Sequence, residues 1–173
     1  MTSAQKMITI IQGDYAVSSD PAVVMSTVLG SCVAVCLYDA QAGVGGMNHF
    51  LLAGTGAARG NDLRYGVNAM ELLINELLRA GAERHKLTAK LFGGARMTEH
   101  SRDIGQSNAR FAADFLMQEG IPCLSQSLGG DQARRVQFIP ATGAARQLQI
   151  AGVAPEIIPE KPAAPPPPDI TLF

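Results

Sequence analysis

At 173 residues the chain has the length of one domain, large enough to bury a core without disulfide or metal support. Fourteen Lys and Arg against 15 Asp and Glu leave a formal net charge of -1, which excludes a general nucleic-acid binder built on a basic face. With 47% apolar and 17% charged residues the chain is globular rather than disordered, and three cysteines, an odd number, exclude a secreted disulfide framework while leaving thiol or metal chemistry open.

In chain order, the first apolar run, Met7 to Ile11, is too short and too weakly flanked for a signal peptide. The most apolar stretch, Ala22 to Tyr38, is interrupted by Ser26, Thr27, Gly30 and Ser31, so it predicts a turn between buried strands rather than a membrane helix. A soluble, cytoplasmic protein is expected. Val33 to Tyr38 and Val44 to Leu52 have strand composition and are separated by a turn over Asp39 to Gly43. Asn68 to Ala80 places Val67, Met70, Ile74, Leu77 and Leu78 at helical spacing, with Gly81 as C-cap. Ala89 to Phe92 predicts another strand. Ser107 to Glu119 predicts a second helix with Ser107 as N-cap, Phe111, Ala112, Phe115 and Leu116 on one face, and Gly120 and Pro122 as its stop. Val136 to Ile139 is a further strand. Strands and helices do not alternate regularly, so the expected class is α+β, with mixed or antiparallel sheet layers flanked by two main helices.

Seven of the ten prolines lie between Pro155 and Pro168. Proline donates no backbone hydrogen bond, so residues 153–173 are expected to form an extended, flexible tail ending in the apolar Ile170 to Phe173, behind a folded unit of residues 1–152. Those last residues read either as a loose end or as a docking motif for a partner.

Chemistry concentrates between Ser26 and His49. Gly30-Ser31-Cys32 is a small-residue turn that delivers a thiol to the start of a strand, leaving the sulfur and nearby amides accessible. A cysteine nucleophile needs that access, with backbone N–H groups to hold the developing oxyanion. Seventeen residues on, Gly45-Gly46-Met47-Asn48-His49 returns an imidazole along the next strand, toward Cys32. Only the thiolate attacks well, so Cys32 needs a basic neighbour, and His49 is the candidate. Cys36, between Val35 and Leu37, reads as core, and Cys123 after Ile121-Pro122 as a second buried thiol. Cys32, Cys36 and His49 make a poor metal set, one ligand short of four, so no metal is expected. His85 and His100 stand among charges and read as solvent-facing. The pairs Gly93-Gly94 and Gly129-Gly130 read either as ordinary turns or as parts of a substrate surface.

These motifs resemble the CheD family. The resemblance runs through Thr27-Val28-Leu29-Gly30-Ser31-Cys32 to Asp39, then Gly45-Gly46-Met47-Asn48-His49-Phe50, Arg64-Tyr65-Gly66 and Leu91-Phe92-Gly93-Gly94-Ala95. It continues through Ile104-Gly105 with Asn108, Gly129-Gly130-Asp131 and Pro140-Ala141-Thr142-Gly143, covering about residues 12 to 146. It implies a protein-glutamine deamidase acting on methyl-accepting chemotaxis receptors, with Cys32 as nucleophile and His49 as base. It also implies a hydroxyl third member six residues before the cysteine, at Ser26 or its neighbour Thr27. Gly30, Ser31 and Asn48 are expected at the oxyanion and substrate position, with no cofactor. The resemblance further implies a fold similar to the catalytic domain of the cytotoxic necrotizing factor toxins, and a CheC-type phosphatase partner. A non-catalytic chemotaxis adaptor, binding receptors or that phosphatase through the same surface, is the alternative.

Overall fold

The structure, a computed structural model, describes residues 4–52, 59–99, 102–151 and 170–173. In chain order the strands are β1 (Lys6–Thr9), β2 (Tyr15–Ser18), β3 (Val23–Leu29), β4 (Val33–Asp39), β5 (Val44–Asn48), β6 (Leu87–Gly93), β7 (Cys123–Leu128), β8 (Ala133–Ile139), β9 (Ala144–Ile150) and β10 (Ile170–Leu172). Helix α1 (Arg59–Arg79) follows β5, and α2 (Arg102–Gln118) follows β6. The strands form two five-stranded sheets, ordered β1-β3-β8-β9-β10 and β2-β5-β4-β6-β7. Both are mixed, because β1–β3 and β6–β7 pair in parallel while the other pairs are antiparallel. The expected α+β class with two main helices therefore holds.

The second sheet is the middle of three layers, which explains the unbroken apolar run of β4. A strand presents alternate side chains to opposite faces, so a strand covered on both faces needs apolar residues in succession. Val33, Val35 and Leu37 face Met70, Leu73, Ile74 and Leu77 of α1, and Ala112, Phe115 and Leu116 of α2. Ala34 and Cys36 face the other way, into the layer shared with Met25, Leu29, Val136 and Phe138 of the first sheet. Cys36 is core, as expected, and burial pushes its thiol strongly upward in pKa. The turn joining β4 to β5 is held by Asp39, whose carboxylate accepts the N–H groups of Gln41, Ala42 and Glu83.

Several sequence expectations need correction. Helix α1 begins nine residues before the expected Asn68, and Val67 and Leu78, expected in the core, are exposed. Ser107 is not an N-cap but lies inside α2, which starts at Arg102. The missing side chain of Gly105 lets the first turn of α2 press onto the backbone, since a Cβ would sit 2.4 Å from the Ala95 carbonyl oxygen. Cys123 is exposed on the edge strand β7 rather than buried. At the far end of the chain, Ile170–Leu172 pair with β9, and Phe173 stacks edge-on against Phe92 with centroids 5.1 Å apart. The last residues thus pack on the chain itself, while residues 152–169 and His100 lie outside the described residues.

Candidate active site

Residues 30–32 carry the chain from the end of β3 in one sheet to the start of β4 in the other. Three successive carbonyls of this crossing are held from one side. The N–H of Ala95 donates to Gly30 O (2.9 Å), Asn108 Nδ2 to Ser31 O (2.9 Å) and the N–H of Gly94 to Cys32 O (2.8 Å). Gly93 permits this closeness: its φ is +115°, and a Cβ there would fall 2.1 Å from Cys32 O. The N–H groups of Ser31 and Cys32 donate to no other described residue.

The register places the histidine. Cys36 pairs with Met47, and an antiparallel bridge joins Val33 to Phe50, so Ala34 stands opposite His49. Cys32 lies two residues from Ala34 and therefore shares its face, which puts it diagonally across from His49, within side-chain reach. The His49 backbone is fixed on its other edge, its N–H donating to Asp14 O and its carbonyl accepting from the Gly13 N–H.

The hydrogen bonds define the protonation of the imidazole. Thr27 Oγ1 donates its one proton to Ile10 O at 2.6 Å, so toward His49 Nδ1, 2.8 Å away, it acts as acceptor. Nδ1 also lies 3.3 Å from Ile10 O, again an acceptor. The proton therefore sits on Nδ1, an assignment made from the network, and the lone pair is left on Nε2. Nε2 is buried and without a partner among the described residues. Thr27, not Ser26, meets the imidazole: Met25, Thr27 and Leu29 point inward, whereas Ser26 takes the other face of β3.

Burial pushes the Cys32 thiol up to about 11, opposed by its own backbone N–H. Burial also lowers the pKa of His49, against the raising effects of the Ile10 carbonyl and the Asp14 carboxylate. At neutral pH both groups are therefore uncharged, rather than a preformed thiolate–imidazolium pair. With Nδ1 carrying the proton, Nε2 is the ring nitrogen left free to accept one.

Not every expected residue joins the site. Asn48 is one position out of phase with His49 and turns to the helix side, where its Oδ1 accepts the Val35 N–H and its Nδ2 contacts Met70 Sδ. It does not line the oxyanion position. His85 is solvent-facing, as expected, 3.3 Å from Glu83. The sequence reading missed Gln12, whose Oε1 lies 3.8 Å from Cys32 Sγ as a long S–H acceptor, and it gave Asn108 no role. Gly94, Gly129 and Gly130, with Arg96 and Gln106, line an open cavity of about 550 Å³, and the N–H of Gly94 ties it to Cys32.

The constellation defines a class: an α+β sandwich carrying a cysteine–histidine–hydroxyl site on the seam between its sheets. The family model described as CheD chemotactic sensory transduction matches residues 52–148. A probable chemoreceptor glutamine deamidase CheD 1 of Ruegeria sp. is 57% identical, over 83% of this chain and 77% of that protein. Probable chemoreceptor glutamine deamidases CheD of Agrobacterium fabrum and Caulobacter vibrioides are 56% and 51% identical, over 88% and 96% of this chain and 84% and 92% of their own lengths. Among solved structures, a Neisseria meningitidis protein of family-model DUF152 superposes with a TM-score of 0.42 at 14% identity, over 73% of this chain and 63% of that one. The chain belongs to the CheD family.

Proposed function

We propose that this chain is a chemoreceptor glutamine deamidase, which hydrolyses glutamine side-chain amides on the cytoplasmic domains of methyl-accepting chemotaxis receptors. The observation that carries the reading is the imidazole of His49, with Nδ1 tied to Thr27 and a bare, buried Nε2 on the strand face that bears Cys32. Relatives at 51–57% identity bear the matching name.

Cys32 Sγ attacks the glutamine Cδ while its proton passes to His49 Nε2. The N–H groups of Ser31 and Cys32 hold the resulting oxyanion. The intermediate collapses as Nε2–H protonates the departing nitrogen, giving ammonia and a thioester. His49 then takes a proton from water as hydroxide adds to the thioester carbonyl, and the C–S bond breaks as Nε2–H returns that proton to the sulfur, leaving the glutamate carboxyl group, the free thiol and a neutral imidazole. Thr27 acts as the orienting third group, in the manner of triads generally. The cycle draws only on protein groups and water. On the same reading the chain works in the cytoplasm, takes a CheC-type phosphatase as partner, and shares its catalytic fold with the cytotoxic necrotizing factor toxins. Among the described residues no helix is long and apolar enough to cross a membrane.

The test is ammonia release from a purified receptor fragment, with converted glutamines mapped by mass spectrometry. Release by the native chain and its loss in Cys32→Ala are expected. Release that survives Cys32→Ala would overturn the nucleophile, and binding without release from any receptor fragment would favour an adaptor.

A further inference from the structure

Asn108 is wholly buried on α2, and both polar atoms of its carboxamide are hydrogen-bonded. Nδ2 donates to Ser31 O at 2.9 Å, immediately before the nucleophile, and Oδ1 accepts the Leu52 N–H at 2.8 Å, three residues beyond His49. One side chain from a helix thus grips both segments that carry the reacting groups, across sequence separations of 77 and 56 residues.

The contact with Ser31 has a directional consequence. A trans peptide points its C=O and N–H in opposite directions, and no cis peptide occurs among the described residues. Holding Ser31 O toward α2 therefore turns the N–H of the next residue, Cys32, away from α2. That N–H has no partner on any other described residue, and as an amide beside the sulfur it favours the charged form of Cys32. The flanking carbonyls of Gly30 and Cys32 are fixed by the backbone of Ala95 and Gly94, whereas the peptide that contributes the Cys32 amide is fixed by a side chain alone.

We propose that Asn108 is a positioning residue that sets the oxyanion site by locking the Ser31–Cys32 peptide plane. The inference rests on the deamidase reading above. It assigns Asn108 to stabilisation of the tetrahedral intermediate, as distinct from activation of the thiol.

The experiment compares two reactions of the same sulfur in the full chain. Deamidation of a receptor fragment passes through an oxyanion, whereas alkylation of Cys32 by iodoacetamide displaces iodide and does not. In Asn108→Ala, kcat for deamidation should fall on the order of 10²–10³-fold, the effect of removing one oxyanion donor. KM and the Cys32 alkylation rate should stay within about threefold of the native chain, the scatter allowed for interactions not made in the transition state. If Asn108→Ala does not fold, Asn108→Asp keeps the acceptor for Leu52 and removes the donor to Ser31, and is read by the same two rates. Alkylation falling in parallel with kcat would show general loosening and overturn the proposal, as would an unchanged kcat. An equal kcat loss in Leu116→Ala, measured well below its melting temperature, would reduce Asn108 to a packing residue of α2. A native chain that alkylates but releases no ammonia from receptor fragments fails the deamidase reading and this inference with it; an active native chain with an active Asn108→Asp fails this inference alone.

Discussion

Replacing Thr27 with valine removes one hydroxyl and almost no volume, so it isolates what that hydroxyl does. The oxygen makes two short contacts, 2.6 Å to Ile10 O and 2.8 Å to His49 Nδ1. Without it, Nδ1–H keeps only the 3.3 Å approach to Ile10 O, at the edge of hydrogen-bonding range. A buried donor deprived of its partner costs about 1–3 kcal/mol. Most of that acts on the balance between the Nδ1–H form and the form with the proton on Nε2, which cannot serve as base. At about 1.4 kcal/mol per decade, kcat/KM for deamidation should drop roughly 10–100-fold. Thr27→Ser retains the hydroxyl and should stay within about threefold of the native rate, because the loss follows the hydrogen bond and not the methyl group. Ser26→Ala, on the opposite face of β3, should change little. Coupled ammonia release from a receptor fragment measures all three. A loss in Ser26→Ala equal to that in Thr27→Val, or native turnover in Thr27→Val, would refute the hydroxyl–imidazole assignment.

The raised pKa of Cys32 fixes the sign of a pH experiment: the sulfur is neutral at pH 7, and iodoacetamide alkylation in the free protein should climb through pH 9 toward a midpoint near 11. A plateau already reached at pH 7 would reveal a thiolate–imidazolium pair instead. Because the pKa of His49 is lowered, its base form persists into mild acid, so the acid limb of deamidation should have its midpoint below 6.5; a midpoint above that value would contradict the burial argument. Gln12→Ala removes the acceptor that favours the neutral thiol, so alkylation at pH 8 should rise severalfold, and an unchanged rate would mean that the 3.8 Å contact has no energetic effect. Phe173→Ala removes the ring stacked on Phe92 and should lower stability by about 1–2 kcal/mol, less than a full core deletion because Phe173 is half-buried. That corresponds to a melting shift of about 3–6 °C, and an unshifted melting curve would dispose of the docked chain end.

The parts of this molecule readable from sequence are those whose signal is local. The apolar run of β4, the Asp39–Gly43 turn and the strand beyond it are contiguous, and together they bring His49 back toward Cys32. The apolar faces of α1 and α2 are legible from spacing, but their starts are not. Gly60, Gly66 and Gly105 weaken the helical signal, and the need for glycine is visible only once Phe111 is seen against Gly66 and the Gly94–Ala95 backbone against Gly105. The choice between Ser26 and Thr27 depends on the phase of β3, where both alternating rows hold valines. Asn48 was misplaced for the related reason that adjacent strand residues face opposite ways. Asn108 and Phe173 act through contacts 77 and about 80 residues distant, which no window of sequence contains.

The site is assembled from both sheets: Thr27 belongs to one, and Cys32 and His49 border strands of the other. The hydroxyl–imidazole contact can therefore close only after the layer of Met25, Phe138, Ala34, Met47 and Phe92 has locked the sheets face to face. Cys32 and His49 share one sheet, so what waits on the docking of the two sheets is the hydroxyl that orients the imidazole. On the proposed mechanism, the imidazole tautomer that can accept a proton is thus set by tertiary packing between the sheets. Substitutions in that interior layer, far from any receptor, should consequently register as losses of turnover before they register as losses of structure.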